Sequence, residues 1–305
     1  MIKRGEELNK TSLRFRIVDI FFIVMMILPI VFGIVLQVLT KPVSDGISIT
    51  GARIFFTLEM PFQDFPITES QINSALVMVT LLFFCFYMTH GLSEHIQLKR
   101  QHFAEMIVEK VDGLVSENMG EYFMGFSPFI IAIMALSAFS SLLSLCGLYP
   151  PTSDINIVGG WAILVFILIT YYKLKCGPVN YLKGFAEPVP FFAPFNVVSE
   201  FATPVSMAFR HYGNVLSGTV ISVLLGSALG GLSSMLLGSL PGFLADIPLL
   251  QVGIPAVLSV YFDVFSGCLQ AFIFAMLTML YVSGGFDLEL FEKRKAQKKL
   301  KKQKN

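Results

Sequence analysis

Arg210 stands alone as a positive charge in a long apolar stretch: no other Lys or Arg occurs between Lys183 and Lys293. An arginine at bilayer depth costs roughly 2.5 to 3.5 kcal/mol on insertion scales, and by default it marks a functional position. Its guanidinium stays charged, because its pKa lies above about 12. Carboxylate, water or backbone carbonyls must therefore meet it. At about 100° per residue of helix, the run from Thr203 to Gly218 gathers Ser206, Arg210, Gly213, Asn214 and Ser217 into one stripe about 100° wide. A later apolar run has its own polar face, with Ser259, Asp263, Ser266 and Gly267 within about 60° of Gln270. A buried carboxylate is costly unless something hydrates or pairs it, so two such faces imply water inside a membrane. A cation cannot pass a permanent positive charge in a low-dielectric path. Arg210 thus splits any aqueous route into two dead ends, a barrier that a mobile carboxylate on another subunit can cross. At about 2.3 kcal/mol per elementary charge per 100 mV, a membrane potential can drive repeated steps of such a cycle.

Positioning these residues requires membrane helices, and the composition supplies them. Hydrophobic residues make up 54% of the 305-residue chain and charged residues 14%, which excludes an ordinary soluble domain. Ile20 to Leu39 is about 30 Å of helix, long enough to span. It is too long for a signal-peptide core and no small-x-small cleavage site follows, so it reads as a retained helix, with Asp19 at its edge and Pro29 and Gly33 as kink points. Residues 40–70, rich in Pro and Gly, read as a loop or small extramembrane element. Ile72 to Leu92 is a second span. From His95 to Met119, Phe103, Met106, Ile107, Val111, Leu114 and Val115 recur at spacings of three and four. That pattern predicts an amphipathic helix, on the membrane surface, against a partner, or as a solvated linker.

Phe126 to Leu148 and Ile155 to Leu174 are the third and fourth spans. Pro150 and Pro151 end the first of these, and Asp154 and Asn156 suit the cap of the next. Pro204 to Leu225 and Pro255 to Val282 make six. If the fifth extends back toward Phe191, both exceed a perpendicular crossing, and steep tilt is expected. Gly226 to Pro248, with its many glycines, reads as a flexible turn between them.

Basic residues fix the expected orientation, because loops rich in Lys and Arg stay in the cytoplasm. With the N terminus inside, 19 of the 21 positive charges other than Arg210 fall on the cytoplasmic side; only Lys41 and Arg53 fall outside. Both termini are thus expected in the cytoplasm. The net charge of +1 gives no ground for nucleic-acid binding. The four cysteines lack metal-ligand spacing and read as small apolar fillers. His90, Glu94, His95 and His102 lack a compact ligand set such as His-Glu-x-x-His, and read as a juxtamembrane polar cluster, not a metal site. No nucleotide-binding loop, nucleophile triad or haem site is recognisable.

Pro204, Ser206, Arg210, Gly213, Asn214 and Gly218, followed by Leu269-Gln270-Ala-Phe-Ile-Phe274, resemble the signature of the ATP synthase a-subunit family. Upstream, Gly147-Leu-Tyr-Pro150 and Ser153-Asp154-Ile-Asn156 resemble that family's Gly-Leu-x-Pro and Ser-x-Asp-x-Asn stretch. The resemblance covers about Phe126 to Gly284. It implies an all-α polytopic membrane protein of about six membrane helices, the last two a long tilted hairpin facing a rotor ring. It further implies two offset half-channels that pass H⁺ or Na⁺ to carboxylates on a ring of c subunits, peripheral-stalk b subunits as further partners, a bacterial cell membrane, and no cofactor. By the same resemblance Arg210 is the stator arginine, Asn214 and Gln270 orient it or line a half-channel, and Ser206 lies on its cytoplasmic side. Asp263 corresponds to an ionisable relay position, and Asp154 and Asn156 lie near the non-cytoplasmic entrance. The chain itself is expected to bind no nucleotide.

Two positions depart from the family pattern. Thr219 stands where many relatives carry an acid or histidine and cannot titrate, so relay duty rests more heavily on Asp263 and water, with Ser266 as a lining residue of the half-channel; ordinary packing is the other reading of Thr219. His211 replaces an apolar residue and reads as a neutral packing group, with proton relay as the alternative. Four regions follow: 1–70 as an added helix and outer loop, 71–125 as a membrane helix and amphipathic helix, 126–284 as the channel core, and 285–305 as a basic tail. A secondary transporter clamping an anionic substrate with Arg210 is the competing class, although no internal repeat is visible. A scaffold in which Arg210 pairs with an acid of its own chain, Asp263 being the candidate, is a third.

Overall fold

The computed structural model describes residues 2–40, 51–61, 63–92, 99–185, 190–237 and 249–304. Its elements, in order, are α1 (Ile2–Thr40), β1 (Ile54–Leu58), β2 (Phe65–Thr68), α2 (Glu69–Thr89), α3 (Lys99–Met119), α4 (Ser127–Leu142), α5 (Ile155–Cys176), α6 (Pro178–Phe185), α7 (Ala193–Leu237), α8 (Leu249–Ser259), α9 (Gly267–Gly284) and α10 (Leu288–Lys304). Six helical segments among the described residues are long and apolar enough to cross a membrane. Their outward faces carry exposed Ile, Leu, Val and Phe, the arrangement expected where the surrounding solvent is lipid. The chain is a polytopic helical membrane protein.

Contacts at the two ends of the bundle show that successive helices alternate in direction. At one end Gln37 of α1 donates to the Gly147 carbonyl at 2.6 Å, Asn73 of α2 donates to the Tyr149 carbonyl at 2.8 Å, and Ser70 donates to Asp154. At the other, Arg100 of α3 donates to Asp19 of α1 and to the His90 carbonyl after α2, both at 2.7 Å. His90 Nδ1 lies 2.9 Å from the same Asp19 carboxylate. This explains His90 by a structural partner; Glu94 and His95 lie outside the described residues.

Local signals account for the helix boundaries. The Thr68 amide donates to the side-chain oxygen of Gln71 at 3.3 Å where β2 runs into α2. Arg53 holds Glu69, in the first turn of α2, through two hydrogen bonds of 2.8 and 3.1 Å. Asp154 caps α5 by accepting from the Asn156 amide at 2.9 Å, as its position in the sequence implies. Gly147 takes a φ of 76° after the 3-10 turn Leu143–Cys146, a conformation suited to glycine. Residues 54–58 and 65–68 form a two-stranded antiparallel hairpin, which gives the extramembrane stretch a definite form.

Three expectations change. Helix α7 is continuous for 45 residues, with Pro204 inside it, so Gly226, Gly230 and Gly231 are helical and form no turn. Glycine costs about 1 kcal/mol in a helix, but an unsatisfied backbone group in lipid costs several, so the helix wins. Gly238, Pro241 and Gly242 lie outside the described residues. The second correction concerns the last span, where Val260–Ser266 is π-helical between α8 and α9. Finally, the amphipathic α3 buries Val111, Val115 and Met119 against the chain's own bundle. There they meet Ile130 of α4 and Phe274 and Met279 of α9 in the main core.

Candidate functional site: a charged face on the helical hairpin

Arg210 lies on the exposed face of α7. By helix count Ser206, Ser217, Ile221 and Leu224 lie within about 40° of it and are exposed, whereas the exposed Phe201 and Thr219 lie about 180° round the helix. Thr219 donates to the Val215 carbonyl at 3.0 Å, and Ser217 to the Gly213 carbonyl at 2.6 Å. Both hydroxyls are thereby satisfied within α7. Among the described residues, no Asp or Glu lies within ion-pair distance of Arg210. Asp263 does not reach it, which removes the support for a scaffold built on an internal Arg210–Asp263 pair.

The two arms of the hairpin meet in a defined antiparallel register. Asn214 Nδ2 donates to Ser266 Oγ at 2.6 Å. One turn further along α7, a Cβ on Gly218 would lie 2.9 Å from Phe262 Cγ. Pairing 214 with 266 and 218 with 262 places Arg210 level with Gln270. Gln270, however, is buried at 6% exposure and faces into the bundle, while Arg210 faces out. A second close approach fixes the arm against α4: a Cβ on Gly267 would meet Ser141 Cβ at 2.7 Å.

The π-helical stretch contains Asp263 and runs into α9 at Gly267. An i→i+5 turn inserts an extra residue, and such insertions cluster at functional sites. Asp263 is half-buried, and the side chain of Ser144, just beyond α4, interacts with its carboxylate.

Helix α4 carries polar residues that the sequence reading missed. Ser137, Ser140, Ser141 and the following Ser144 fall on one face about 100° wide. Ser137 and Ser140 are fully buried, and Ser141 is 3% exposed. Ser141 Oγ lies 3.4 Å from Thr152 Oγ1. The Ser140 and Ser153 hydroxyls and His211 Nδ1 are buried without a protein partner. Such groups call for internal water. The signal was present as serines at positions 137, 141 and 144 of an apolar run. Asp154 accepts from Ser70 at the head of this face. Asn156 is exposed, and its amide serves Asp154.

His211 is fully buried, with Nε2 3.2 Å from Ser137 Oγ. Trp161 and Phe274 meet its ring edge-on at 6.0 and 5.9 Å. It is packed inside the bundle, pointing away from the Arg210 face.

At the other end of α7, Lys173 Nζ donates to both Glu200 oxygens at 2.7 Å. The pair lies in a cavity of about 440 Å³ that also exposes Tyr181, Asn196, Ser199 and Asp287. Ten residues, about 15 Å of helix, separate Glu200 from Arg210. Burial raises the Tyr181 hydroxyl pKa, with the Glu200 charge adding to it, so Tyr181 stays a neutral hydrogen-bonding group.

Residues 72–283 match the family model described as ATP synthase A chain. The chain belongs to that family. It is 34% identical over 219 residues to an ATP synthase subunit a of Desulforamulus reducens, covering 70% of this chain and 78% of the relative. It is 30% identical over 257 residues to the sodium-ion-specific ATP synthase subunit a of Propionigenium modestum, covering 78% and 81%. An ATP synthase subunit a 1 of Pelobacter propionicus is 29% identical over 217 residues, covering 70% and 85%. As a member of the ATP synthase A chain family, the protein is an ion-translocating membrane subunit of the F0 sector. The family match spans α2 to α9; α1, the β hairpin and α10 flank it.

Proposed function

We propose that this chain is the stator half of a rotary ion channel, exchanging H⁺ or Na⁺ with carboxylates on a ring of c subunits. The observation that carries the proposal is Arg210: a permanent cation on an exposed helix face of a membrane span, with no acid of its own chain among the described residues to neutralise it. Left facing lipid, it would incur most of the insertion cost. Facing a ring of carboxylates, it attracts each one that has lost its ion and bars ions from passing directly.

Two polar regions at different depths serve as the half-channels. The first runs from Asp154 and Ser70 past Thr152 and Ser141 to Ser144 and Asp263. The second is the cavity around Lys173 and Glu200. Asn214 and Ser266 fix the arms between them, and Gln270 supports the hairpin behind Arg210. Ser206, four residues before Arg210, faces the ring on the side of the second cavity. In this reading the end bearing Lys173 and α10 is cytoplasmic, and peripheral-stalk b subunits hold the chain against the torque. Thr219 lies about 180° round α7 from Arg210, off the ring-facing side, and does not titrate, and His211 packs the bundle.

Ion flux through the reconstituted complex tests the reading. Arg210→Ala is expected to abolish ATP-driven ion pumping and to open a passive leak. Pumping that stays normally coupled would remove the mechanism. Stimulation of the parent complex by Na⁺ at fixed pH identifies Na⁺ as the ion, and its absence identifies H⁺.

A further inference from the structure

The C-terminal helix α10 is the most strongly charged element of the chain, and it lies beyond the family match. From Leu288 to Lys304 it holds eight Lys or Arg and two Glu, and from Lys293 onward it holds no acid. We infer that α10 binds the headgroups of anionic phospholipids, lying along the membrane surface as an electrostatic brace for the last membrane helix.

Three observations lead there. First, the root of α10 is pinned at the ends of membrane spans. Cys176, the last residue of α5, has its sulfur 3.3 Å from the Asp287 amide nitrogen, and Asp287 caps α10 by accepting from the Leu290 amide at 3.0 Å. The Phe286 ring stacks on Tyr122 at 4.9 Å, and the Phe291 ring lies 5.8 Å from Tyr122. Aromatic residues gathered where spans end mark the level of the headgroups. Second, Lys293 follows Phe291 by two residues, about 3 Å of helix. The first charges therefore lie well within a Debye length, about 8 Å, of that level. Lys175 adds to the field at the same depth, its ammonium 5.3 Å from the Phe291 ring.

Third, the helix repels itself. Arg294 and Lys298, Lys295 and Lys299, and Lys298 and Lys302 are like-charged pairs four residues apart. Such pairs destabilise a helix unless something neutralises them. A layer of phosphate headgroups does so for the face that meets it, and long Lys and Arg stems at the flanks can bend toward it. Charges spread around most of the helix circumference, with few apolar residues between them, suit a charged sheet better than a shaped apolar groove. Juxtamembrane polybasic segments are attracted to an anionic leaflet, each Lys or Arg near the surface adding to the attraction.

The inference uses the membrane reading of the fold and is independent of the channel mechanism. Amide hydrogen exchange of residues 293–304 tests it in the intact complex, in nanodiscs of phosphatidylcholine alone and in discs with about a third phosphatidylglycerol. Exchange on the order of tenfold slower in the anionic discs is expected at low salt, with the difference lost in 0.5 M salt, where the Debye length falls to about 4 Å. It should also be lost when Lys298, Lys299, Lys301 and Lys302 are all changed to Gln. Equal exchange in both discs overturns the proposal, including the case where an acidic protein of the complex protects the helix regardless of lipid. Discs expose both membrane faces, so the result does not depend on sidedness. Protease access in sealed vesicles of known orientation decides the cytoplasmic assignment separately.

Discussion

Asn214 and Ser266 join the two arms of the hairpin by a side-chain hydrogen bond of 2.6 Å, one helical turn from Arg210. The bond sets which residue of the second arm stands level with the arginine. It therefore fixes the register of the hairpin: a slip of one turn would present a different residue behind Arg210.

Asn214→Ala is expected to lower the thermal stability of the complex by about 1 kcal/mol, the typical net worth of one hydrogen bond, and to reduce ATP-driven ion pumping. Ser266→Ala should cost about as much, and the double variant little more than either. Full additivity in that cycle would show that the two residues act apart.

Gly267 and Gly218 permit helix contacts that a methyl group forbids. Gly267→Ala forces its Cβ to within 2.7 Å of Ser141 Cβ, and overpacking of this kind costs about 1 to 3 kcal/mol. Gly267→Ala should therefore lower the melting temperature in detergent, and Ser141→Gly should restore it. A Gly267→Ala protein that melts like the parent would mean that α4 and α9 are further apart than described.

Much of this arrangement was legible in the sequence because bilayer physics leaves few choices. Segments near Ile20, Ile72, Phe126 and Ile155 had to be helices once they were apolar for about 20 residues. Asp154 as a cap followed from its place after two prolines. The length of α7 was not legible, because glycine normally signals a turn and the cost of exposing backbone to lipid acts against that signal. The π-helical stretch was hidden as well: nothing in Val260 to Ser266 announces an inserted residue. Partnerships across distant segments, such as Lys173 with Glu200 or Ser70 with Asp154, depend on which helices become neighbours. Periodicity along one helix does not carry that information.

Glu200→Gln should weaken the Lys173 contact and leave an ammonium partly buried in the cavity, since Lys173 is only 25% exposed. A charge-assisted bond of this kind is worth about 1.5 to 3 kcal/mol, less what solvent recovers at the cavity mouth. Reduced pumping is expected from Glu200→Gln, from Lys173→Met and, to a smaller extent, from the pair replaced together by Gln and Met. If the double replacement is no better than the worse single one, the two residues serve the cavity separately.

Asp263 and His211 are titratable side chains that the fold places beside the α4 serines, and they are predicted to behave oppositely. Asp263 interacts with Ser144 and is half-buried in a π-helical stretch. Asp263→Asn keeps the shape, removes the ionisable oxygen, and should cut ion flux by on the order of 10²-fold or more, as expected when a positioned acid–base group is lost. His211 is sealed between Trp161, Phe274 and Ser137. His211→Leu combined with Ser137→Ala removes both members of that contact, together with the unpartnered Nδ1, and such paired apolar replacement is close to neutral. The double variant should pump at near-parental rates across pH 6 to 8 (roughly the range over which a histidine near its ordinary pKa changes charge). A pumping defect in it that grows with pH, in a protein with parental melting temperature, would transfer the relay role from Asp263 to His211.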